Sequence, residues 1–156
     1  MNKSSTTVMI YLIKDNKYLM LHRTKKDIDI NKDKYIGVGG HVEKDETIEE
    51  GLIREVKEET GYELLSFDYR GIVYFSYDGY QEDMHIFTSS SFKGQEIICN
   101  EGDLVWVNKE DILSLNLWEG DYYFLAYLLK DDFSFFKMKL EYENGKLLKK
   151  TILKWF

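Results

Sequence analysis

The chain has 156 residues and a formal net charge of −7, and both values limit what it can be. This length suits one domain spanning 1–156 with its own core, because domains typically have roughly 100 to 200 residues. Charged residues make up 31% of the sequence, which excludes a membrane-protein class, and the acidic balance argues against a nucleic-acid polymer as partner. A small phosphorylated ligand remains compatible if a divalent metal ion supplies the missing positive charge.

The first predicted elements are a hairpin and a helix. Apolar runs at 6–13 and 17–22 flank the turn-forming residues 14–16, Lys-Asp-Asn, and predict two paired strands. The segment 47–60 follows with apolar residues at helical spacing and predicts an amphipathic helix. This part of the chain therefore combines strands with a helix.

The rest of the chain predicts further strands around a second helix. Strand-forming Val, Ile, Tyr, Phe and Thr residues are concentrated at 64–77, 84–92 and 104–107. Residues at helical spacing predict a helix over 120–130, and the Asn-Gly pair at 144–145 predicts a two-residue hairpin turn. Strands interleaved with two helices predict an α/β (α+β) fold, in which a mixed β-sheet is sandwiched between α-helices.

Cysteine content and the N-terminal segment together indicate a cytoplasmic protein. Cys99 is the single cysteine, so no intrachain disulfide is expected and a reducing compartment is indicated. The apolar run near the N-terminus ends at Lys14, which makes it too short for the core of a signal peptide. No run approaches the ~18 apolar residues of a membrane span, so no membrane partner is expected.

The helix predicted at 47–60 has well-marked ends and one apolar face. Thr47 and Glu50 form a T-x-x-E capping box at its start, and Gly61 suits the left-handed position that ends a helix. The apolar face is formed by Leu52, Ile53 and Val56. Fixed ends determine which other side chains border this face.

Three glutamates lie along that border. Glu55, Glu58 and Glu59 occupy positions i, i+3 and i+4, within about 100° of one another around the helix. Like charges at these spacings destabilise a helix by roughly 0.2 to 0.5 kcal/mol per pair, so folding alone does not favour the cluster. Mg²⁺ takes oxygen ligands at about 2.0 to 2.1 Å and shares them with substrate phosphates, so a metal site explains it. The fragment EVKEE alone is instead typical of a solvated face.

The surrounding sequence favours the metal site. Residues 40–62 read GHVEKDETIEEGLIREVKEETGY, which resembles the 23-residue Nudix box, G-x5-E-x7-R-E-U-x-E-E-x-G-U, where U is a bulky apolar residue. The matching positions are Gly40, Glu46, Arg54, Glu55, Val56, Glu58, Glu59 and Gly61. Tyr62 departs from the pattern, because an aliphatic residue is usual there, and this affects packing more than chemistry. The resemblance implies the Nudix fold.

The same resemblance implies a hydrolase that uses Mg²⁺ or Mn²⁺. Gly39 and Gly40 are expected to form a tight approach whose backbone carbonyl faces the metal. The metal ligands implied are Glu55, Glu58 and Glu59. Arg54 and Glu46 are expected to support these ligands, because a forked ion pair from Arg54 holds a glutamate in its productive rotamer. The implied reaction is attack of a metal-activated water on a phosphorus of a diphosphate linkage.

A second, looser resemblance covers residues 100–128. This stretch is similar to MutT-related 8-oxo-dGTP diphosphatases, especially the bacterial MutX type. Glu101 matches an extra carboxylate that contributes to the metal site or acts as the base, and the choice among the glutamates for the base stays open. The residues implied to bind the nucleotide are Arg23 near the phosphates and Phe75, Trp118 and Asp121 around the purine.

Three positions depart from those relatives. Ile36 stands where some have a hydrogen-bonding Asn, and Gly120 stands where some have a second pocket Asp. Hydrolysis is therefore implied more firmly than recognition of an oxidised base. His41 replaces a frequent Lys, and its ring either contacts phosphate or is only exposed to solvent.

Three functions are compatible with these residues. The first is hydrolysis of oxidised purine nucleoside triphosphates, such as 8-oxo-dGTP, to the monophosphate and pyrophosphate. The second is hydrolysis of another derivative, such as ADP-ribose, a dinucleoside polyphosphate or an unmodified nucleoside triphosphate. The third is nucleotide sensing without turnover, which the intact acidic set disfavours. The small-molecule nucleotide is the expected partner, and the sequence indicates no oligomeric state.

Overall fold

The computed structural model describes residues 3–130 and 133–155, which contain nine strands and two α-helices. The strands are β1 (Lys3–Lys14), β2 (Lys17–His22), β3 (Tyr35–Ile36), β4 (Val38–His41), β5 (Tyr62–Tyr77), β6 (Tyr80–Gly94), β7 (Asp103–Asn108), β8 (Phe136–Glu143) and β9 (Lys146–Trp155). The helices are α1 (Ile48–Thr60), α2 (Asp121–Leu129) and a 3-10 helix (Lys109–Ser114). Every strand and α-helix predicted from the sequence is present, with its ends shifted by a few residues.

Strand β1 has neighbours of both orientations, and they make the sheet mixed. It runs parallel to β6, in register from Lys3 opposite Tyr80 to Leu12 opposite Ser89. Its other neighbours, β4 and β2, are antiparallel. Beyond β6 the sheet continues with β5 antiparallel to β6, β8 parallel to β5 and β9 antiparallel to β8. The predicted mixed sheet is confirmed.

Three tight turns set the register of the hairpins. Residues 15–16, 78–79 and 144–145 all have positive φ, between +47° and +88°. Positive φ at both central residues defines the two-residue turn whose twist matches that of paired strands, and Asn, Asp and Gly tolerate it best. The hairpins predicted at 14–16 and 144–145 are confirmed. The Asp-Gly turn at 78–79 is followed directly by β6. This strand therefore begins at Tyr80, four residues before the predicted start at 84.

The sheet separates two apolar layers because side chains alternate along β1. One layer, on the side of α1, includes Val8, Ile10, Leu12, Leu52 and Val56. The other, on the side of α2, includes Met9, Tyr11, Phe124, Leu125 and Leu128. A helix therefore covers each face of the sheet, and the predicted sandwich is confirmed.

Two features differ from the sequence prediction. The apolar face of α1 is narrower than predicted, because Leu52 and Val56 are fully buried whereas Ile53 is 42% exposed. Residues four apart lie on one side of a helix, whereas Ile53 is turned about 100° away from Leu52. Strands β3 and β4 were not predicted, because they have two and four residues and show no alternation.

In the described ranges, no helix combines the length and the apolar character that crossing a membrane requires.

Replacing Leu52 by Ala tests the packing of α1. We expect the free energy of unfolding to fall by about 2 to 5 kcal/mol, because the substitution leaves a cavity at a fully buried position. The matched control is Ile53→Ala, which should cost about 1 kcal/mol or less because this side chain is 42% exposed and its loss leaves no enclosed cavity. Urea denaturation measures both, and equal losses would contradict this orientation of the helix.

Candidate active site

A cleft of about 640 Å³ runs from the β4–α1 junction to the N-terminus of α2. Its lining includes ten of the twelve residues predicted from the sequence, which are Arg23, Gly39, Gly40, Arg54, Glu55, Glu59, Phe75, Glu101, Trp118 and Asp121. The other two, Glu46 and Glu58, are not part of this lining. Glu46 is paired with Arg54, and the side chain of Glu58 is 59% exposed. The fold thus brings the acidic cluster and the aromatic residues to one cavity.

The capping box fixes where α1 begins. The Oγ1 atom of Thr47 accepts a hydrogen bond from the Glu50 backbone N–H at 3.1 Å, and the Glu50 carboxylate accepts from the Thr47 N–H at 2.9 Å. At the other end, Gly61 has a φ of +84° and its N–H donates to the Lys57 carbonyl. Both predicted caps are confirmed. They set the rotation of the helix and so the direction in which its glutamates point.

Gly39 and Gly40 let α1 approach β4 closely. The Gly39 N–H donates to the Glu59 carboxylate at 2.8 Å, and a side chain at Gly39 would overlap the carbonyl of Val8. A Cβ atom at Gly40 would lie 2.8 Å from an oxygen of Glu55. The space that a side chain would fill at Gly40 therefore holds a carboxylate. The hydrogen bond that joins this glycine turn to α1 is donated by the backbone N–H of Gly39.

Arg54 connects the acidic residues at this end of the cleft. Its Nε and Nη2 atoms donate to the two carboxylate oxygens of Glu46, at 2.6 and 2.9 Å. Its Nη1 atom donates to Glu55 at 2.9 Å and to Glu58 at 3.2 Å, and Nη2 also reaches the carbonyl of His41 at 3.1 Å. The hydrogen bond from Arg54 lowers the pKa of Glu46 to about 2, with help from a backbone N–H. One guanidinium thus holds three carboxylates in fixed rotamers.

Glu59 and Glu101 form a close carboxyl pair. Their oxygens and the Sγ atom of Cys99 all lie within 4.8 Å of one another. Burial, and then the hydrogen bond with Glu101, raises the pKa of Glu59 far above its ordinary value. The same hydrogen bond lowers the pKa of Glu101, which Arg23 and Lys26 also stabilise as an anion at 3.5 and 3.4 Å. The two shifts have opposite directions, so this pair favours the charged form of Glu101 and disfavours the charged form of Glu59.

The donor set at this end fits a hard divalent cation. Glu55, Glu59 and Glu101 all line the cleft and offer carboxylate oxygens, the ligands that Mg²⁺ and Mn²⁺ prefer. Burial raises the pKa of Glu55 as it does that of Glu59, so both carboxylates would gain from a positive charge beside them. Burial likewise raises the pKa of the Cys99 thiol, which keeps this sulfur neutral and a poor ligand.

Trp118 forms part of the opposite end of the cleft. The residue is 8% exposed, and its indole N–H donates to the Asn31 side-chain oxygen at 2.7 Å. Its ring meets those of Phe75 and Tyr142 edge to face, with centroids 5.8 and 5.1 Å apart. Trp118 is thus anchored in the core while it also lines the cavity.

Asp121 lies beside it as the first residue of α2. Burial raises the pKa of Asp121 to about 8, although the charge of Lys34 opposes the shift. The preceding residue, Gly120, has no room for a side chain, because a Cβ atom would lie 2.6 Å from Leu140 and 2.8 Å from the hydroxyl of Tyr142. A side chain at position 120 would therefore have to displace the ends of these two side chains.

Several lining residues were not predicted. Asp29 accepts a hydrogen bond from Arg23 at 2.9 Å and fixes the guanidinium, and Asn31 anchors Trp118. Both belong to the irregular segment 23–34, where no periodic pattern points to them. Thr7, Glu82 and Met84 also line the cleft, and they could be found only once the pairing of β1 with β6 was known. Ile36 and His41, which were singled out from the sequence, line it too, and His41 is exposed.

Replacing Asp121 by Asn should remove a pH-dependent loss of stability. The folded-state pKa, about 8, lies above the ordinary 3.8, so the stabilisation is complete below the lower value and is lost as pH rises through the higher one. Each pKa unit corresponds to about 1.4 kcal/mol, so the loss amounts to several kcal/mol. Urea denaturation between about pH 5 and 9 should show Asp121→Asn gaining stability over the wild type as pH rises. Asp68→Asn, at an exposed position, is the control, and a flat difference for Asp121→Asn would contradict the burial effect.

Comparison with known proteins places this cleft in a family. Residues 3–128 match the family model described as the NUDIX domain. The chain is 33% identical over 96 residues to the oxidized purine nucleoside triphosphate hydrolase of Mus musculus, a match that covers 60% of this chain and 62% of that protein. It is 29% identical over 122 residues to the Nudix hydrolase YvcI of Bacillus subtilis, covering 74% of this chain and 73% of that protein. The chain thus spans less than two thirds of the mouse relative.

Solved structures agree on the fold. The MutT protein of Bacillus halodurans superposes with a TM-score of 0.85 at 21% identity, covering 95% of this chain and 97% of that chain. The MutT protein of Methanosarcina mazei superposes with a TM-score of 0.74 at 25% identity, covering 83% and 96%. The acidic helix, the glycine turn and these matches together show that the chain belongs to the NUDIX domain family and has the Nudix fold.

Proposed function

We propose that this protein hydrolyses oxidised purine nucleoside triphosphates, such as 8-oxo-dGTP, to the nucleoside monophosphate and pyrophosphate, and so cleans the nucleotide pool. Membership of the Nudix hydrolase family supports the reaction type. The observation that carries the proposal is that Trp118 and Asp121 line the same cleft as Glu55, Glu59 and Glu101. The mouse relative is named an oxidized purine nucleoside triphosphate hydrolase, which agrees with the proposal.

In this proposal the acidic end of the cleft holds Mg²⁺ or Mn²⁺. Glu55, Glu59 and Glu101 would be ligands, and Glu58 would join them from the rim of the same helix face. A bound divalent ion lowers the pKa of a coordinated water and neutralises charge on the phosphate oxygens. Arg54 keeps Glu55 and Glu58 in place, as the hydrogen bonds at 2.9 and 3.2 Å indicate.

The protein side chains supply the remaining steps. The oxygen of a water molecule forms the new bond to phosphorus, and the bond from phosphorus to the leaving phosphate oxygen breaks. The proton released by this water goes to a cleft carboxylate, and Glu101, beside Arg23 and Lys26, takes this role if it is not itself a metal ligand. Arg23, fixed by Asp29, also faces the cleft and compensates the charge of the polyphosphate.

The base is read at the other end of the cleft. The ring of Trp118 offers a stacking surface, which holds any base and therefore contributes affinity more than choice. Asp121, with its raised pKa, is a neutral carboxyl that both donates and accepts a hydrogen bond. Oxidation at C8 converts N7 of guanine from an acceptor into an N–H donor. A carboxyl whose carbonyl oxygen faces this edge accepts a hydrogen bond from oxidised guanine and none from normal guanine, and can therefore discriminate the two.

A second candidate is hydrolysis of another nucleoside diphosphate derivative, such as ADP-ribose, a dinucleoside polyphosphate or an unmodified nucleoside triphosphate. Ile36 and Gly120 favour it, because neither supplies a polar side chain to the purine end. Nucleotide sensing without turnover is disfavoured, since a sensor does not need the complete set of glutamates held by Arg54.

Metal dependence tests the catalytic end. Mg²⁺ should be required for turnover and should raise the melting temperature with concentration, because it binds the folded chain and relieves carboxylate repulsion. Glu59→Gln should lower kcat by about a hundredfold or more and remove the Mg²⁺-induced stabilisation, without destabilising the metal-free protein. Glu63→Gln, which removes an exposed glutamate just after α1, is the matched control. Unchanged turnover in Glu59→Gln, or full activity in EDTA, would refute this site.

Substrate discrimination tests the purine end. Trp118→Ala should raise KM for every purine triphosphate by about tenfold or more with a smaller effect on kcat, because stacking contributes roughly 1 to 3 kcal/mol per base. Asp121→Asn should instead narrow the ratio of kcat/KM between 8-oxo-dGTP and dGTP. Trp106→Ala is the control, because this tryptophan packs against Phe92 in the other apolar layer. If Trp118→Ala left every KM unchanged, the second candidate function would be preferred.

A further inference from the structure

Glu82 occupies the floor of the cleft, and neither the sequence motifs nor the proposed mechanism uses it. It lies on β6 between Ser5 of β1 and Phe75 of β5, directly opposite each across the strands. Opposite residues have Cβ atoms about 4.5 to 5.5 Å apart. Phe75 in turn meets the ring of Trp118, and both line the cleft with Glu82. The carboxylate therefore lies beside the aromatic pair at the purine end.

The orientation of Glu82 is fixed by a short chain of hydroxyl groups. The Tyr80 hydroxyl donates to the Glu82 carboxylate at 2.9 Å and lies 2.7 Å from the Ser5 hydroxyl. A tyrosine hydroxyl has one hydrogen to donate, so Ser5 must be the donor to Tyr80. Each carboxylate oxygen can accept more than one hydrogen bond, so this arrangement leaves acceptor capacity free for a ligand.

A second polar group on the same floor lacks a protein partner. The Oγ1 atom of Thr7 is buried, lines the cleft and has no hydrogen-bond partner in the described ranges. Thr7 lies opposite Met84, two residues along β6 from Glu82 on the same face. An unpaired buried hydroxyl is costly, which indicates that a polar ligand group completes this part of the cleft.

Charge decides which part of a nucleotide Glu82 can meet. A carboxylate repels phosphate, and the phosphates belong with Arg23 at the acidic end, where a cation would lie. Glu82 must therefore face an uncharged group rich in N–H donors. The Watson–Crick edge of guanine offers two adjacent donors, N1–H and the exocyclic amine. Hypoxanthine offers only N1–H there, and adenine has a lone pair at N1.

We infer that Glu82 reads the base, with its carboxylate accepting both N–H groups of a guanine-type Watson–Crick edge. The inference rests on the proposed function for the identity of the ligand as a purine nucleotide. It assigns Glu82 a role distinct from that of Asp121. Guanine and 8-oxoguanine share this edge, so Glu82 selects guanine-type bases over hypoxanthine and adenine without sensing oxidation.

Equilibrium binding of two nucleoside monophosphates tests this role without turnover. Isothermal titration calorimetry should show that the wild type binds dGMP at least about tenfold more tightly than dIMP, because dIMP lacks the second donor. Glu82→Gln should reduce the ratio of the two Kd values to near one, since an amide presents one acceptor and one donor in place of two acceptors. Tyr80→Phe, which keeps the carboxylate but removes its anchor, should give an intermediate ratio.

Asp83→Asn is the matched control. It makes the same charge change on the next residue of β6, whose side chain points to the opposite face of the sheet. It should leave the dGMP to dIMP ratio unchanged. Melting temperatures of all variants check that each is folded.

The outcomes separate the inference from the proposed function. If Glu82→Gln is folded and keeps the wild-type ratio of Kd values, or if the wild type binds dGMP and dIMP equally, the role of Glu82 is refuted. If the ratio collapses as expected but no variant hydrolyses 8-oxo-dGTP with Mg²⁺, the base-reading role holds and the proposed reaction fails. In Glu82→Gln, the ratio of kcat/KM between 8-oxo-dGTP and dGTP should stay at the wild-type value. A change in that ratio as large as the change in the binding ratio would also contradict the assignment.

Discussion

Repulsion between carboxylates is the constraint on which the acidic end of the cleft depends. Glu55, Glu58 and Glu59 project from one side of α1, and Glu101 meets them from outside the helix. The fold balances this charge with the guanidinium of Arg54, which donates to Glu55 and Glu58, and with Arg23 and Lys26, which lie beside Glu101. These contacts are all local to the acidic end of the cleft. The repulsion that they leave is what the proposed cation would relieve.

The two ends of the cleft are joined by a segment with no regular structure. Residues 23–34 begin with Arg23 at the acidic end and include Asn31, which holds the indole of Trp118. A part-buried ion pair from Arg23 to Asp29 orders the middle of this segment. Side-chain contacts of this kind, together with loop backbone hydrogen bonds between Arg23 and Lys34, connect the acidic end of the cleft to its aromatic end.

The sequence predicted what depends on local spacing and missed what depends on distant pairing. The register of Glu55 and Glu59 follows from helical geometry, and their approach to Gly40 and Gly39 follows from the motif. Asn31 could not be found, because its role arises from Trp118, 87 positions later in the chain. Glu82 was missed for a related reason, since only the register of β6 with its neighbours places it beside an aromatic pair. Ile53 was assigned to the buried face because the spacing of apolar residues indicates a helix but does not show how much of the helix surface packs against the sheet.

The crowding at Gly120 has an evolutionary consequence. A carboxyl there would meet Leu140 on β8 and also the Tyr142 hydroxyl, which accepts a hydrogen bond from the Gly120 N–H at 2.6 Å. A single substitution that adds a second acid would therefore have to displace the side-chain ends of Leu140 and Tyr142. Moving Tyr142 would disturb its hydrogen bond with the Gly120 N–H and its edge-to-face contact with Trp118. The effect of any change at position 120 is therefore epistatic with the residues that occupy positions 140 and 142 on β8.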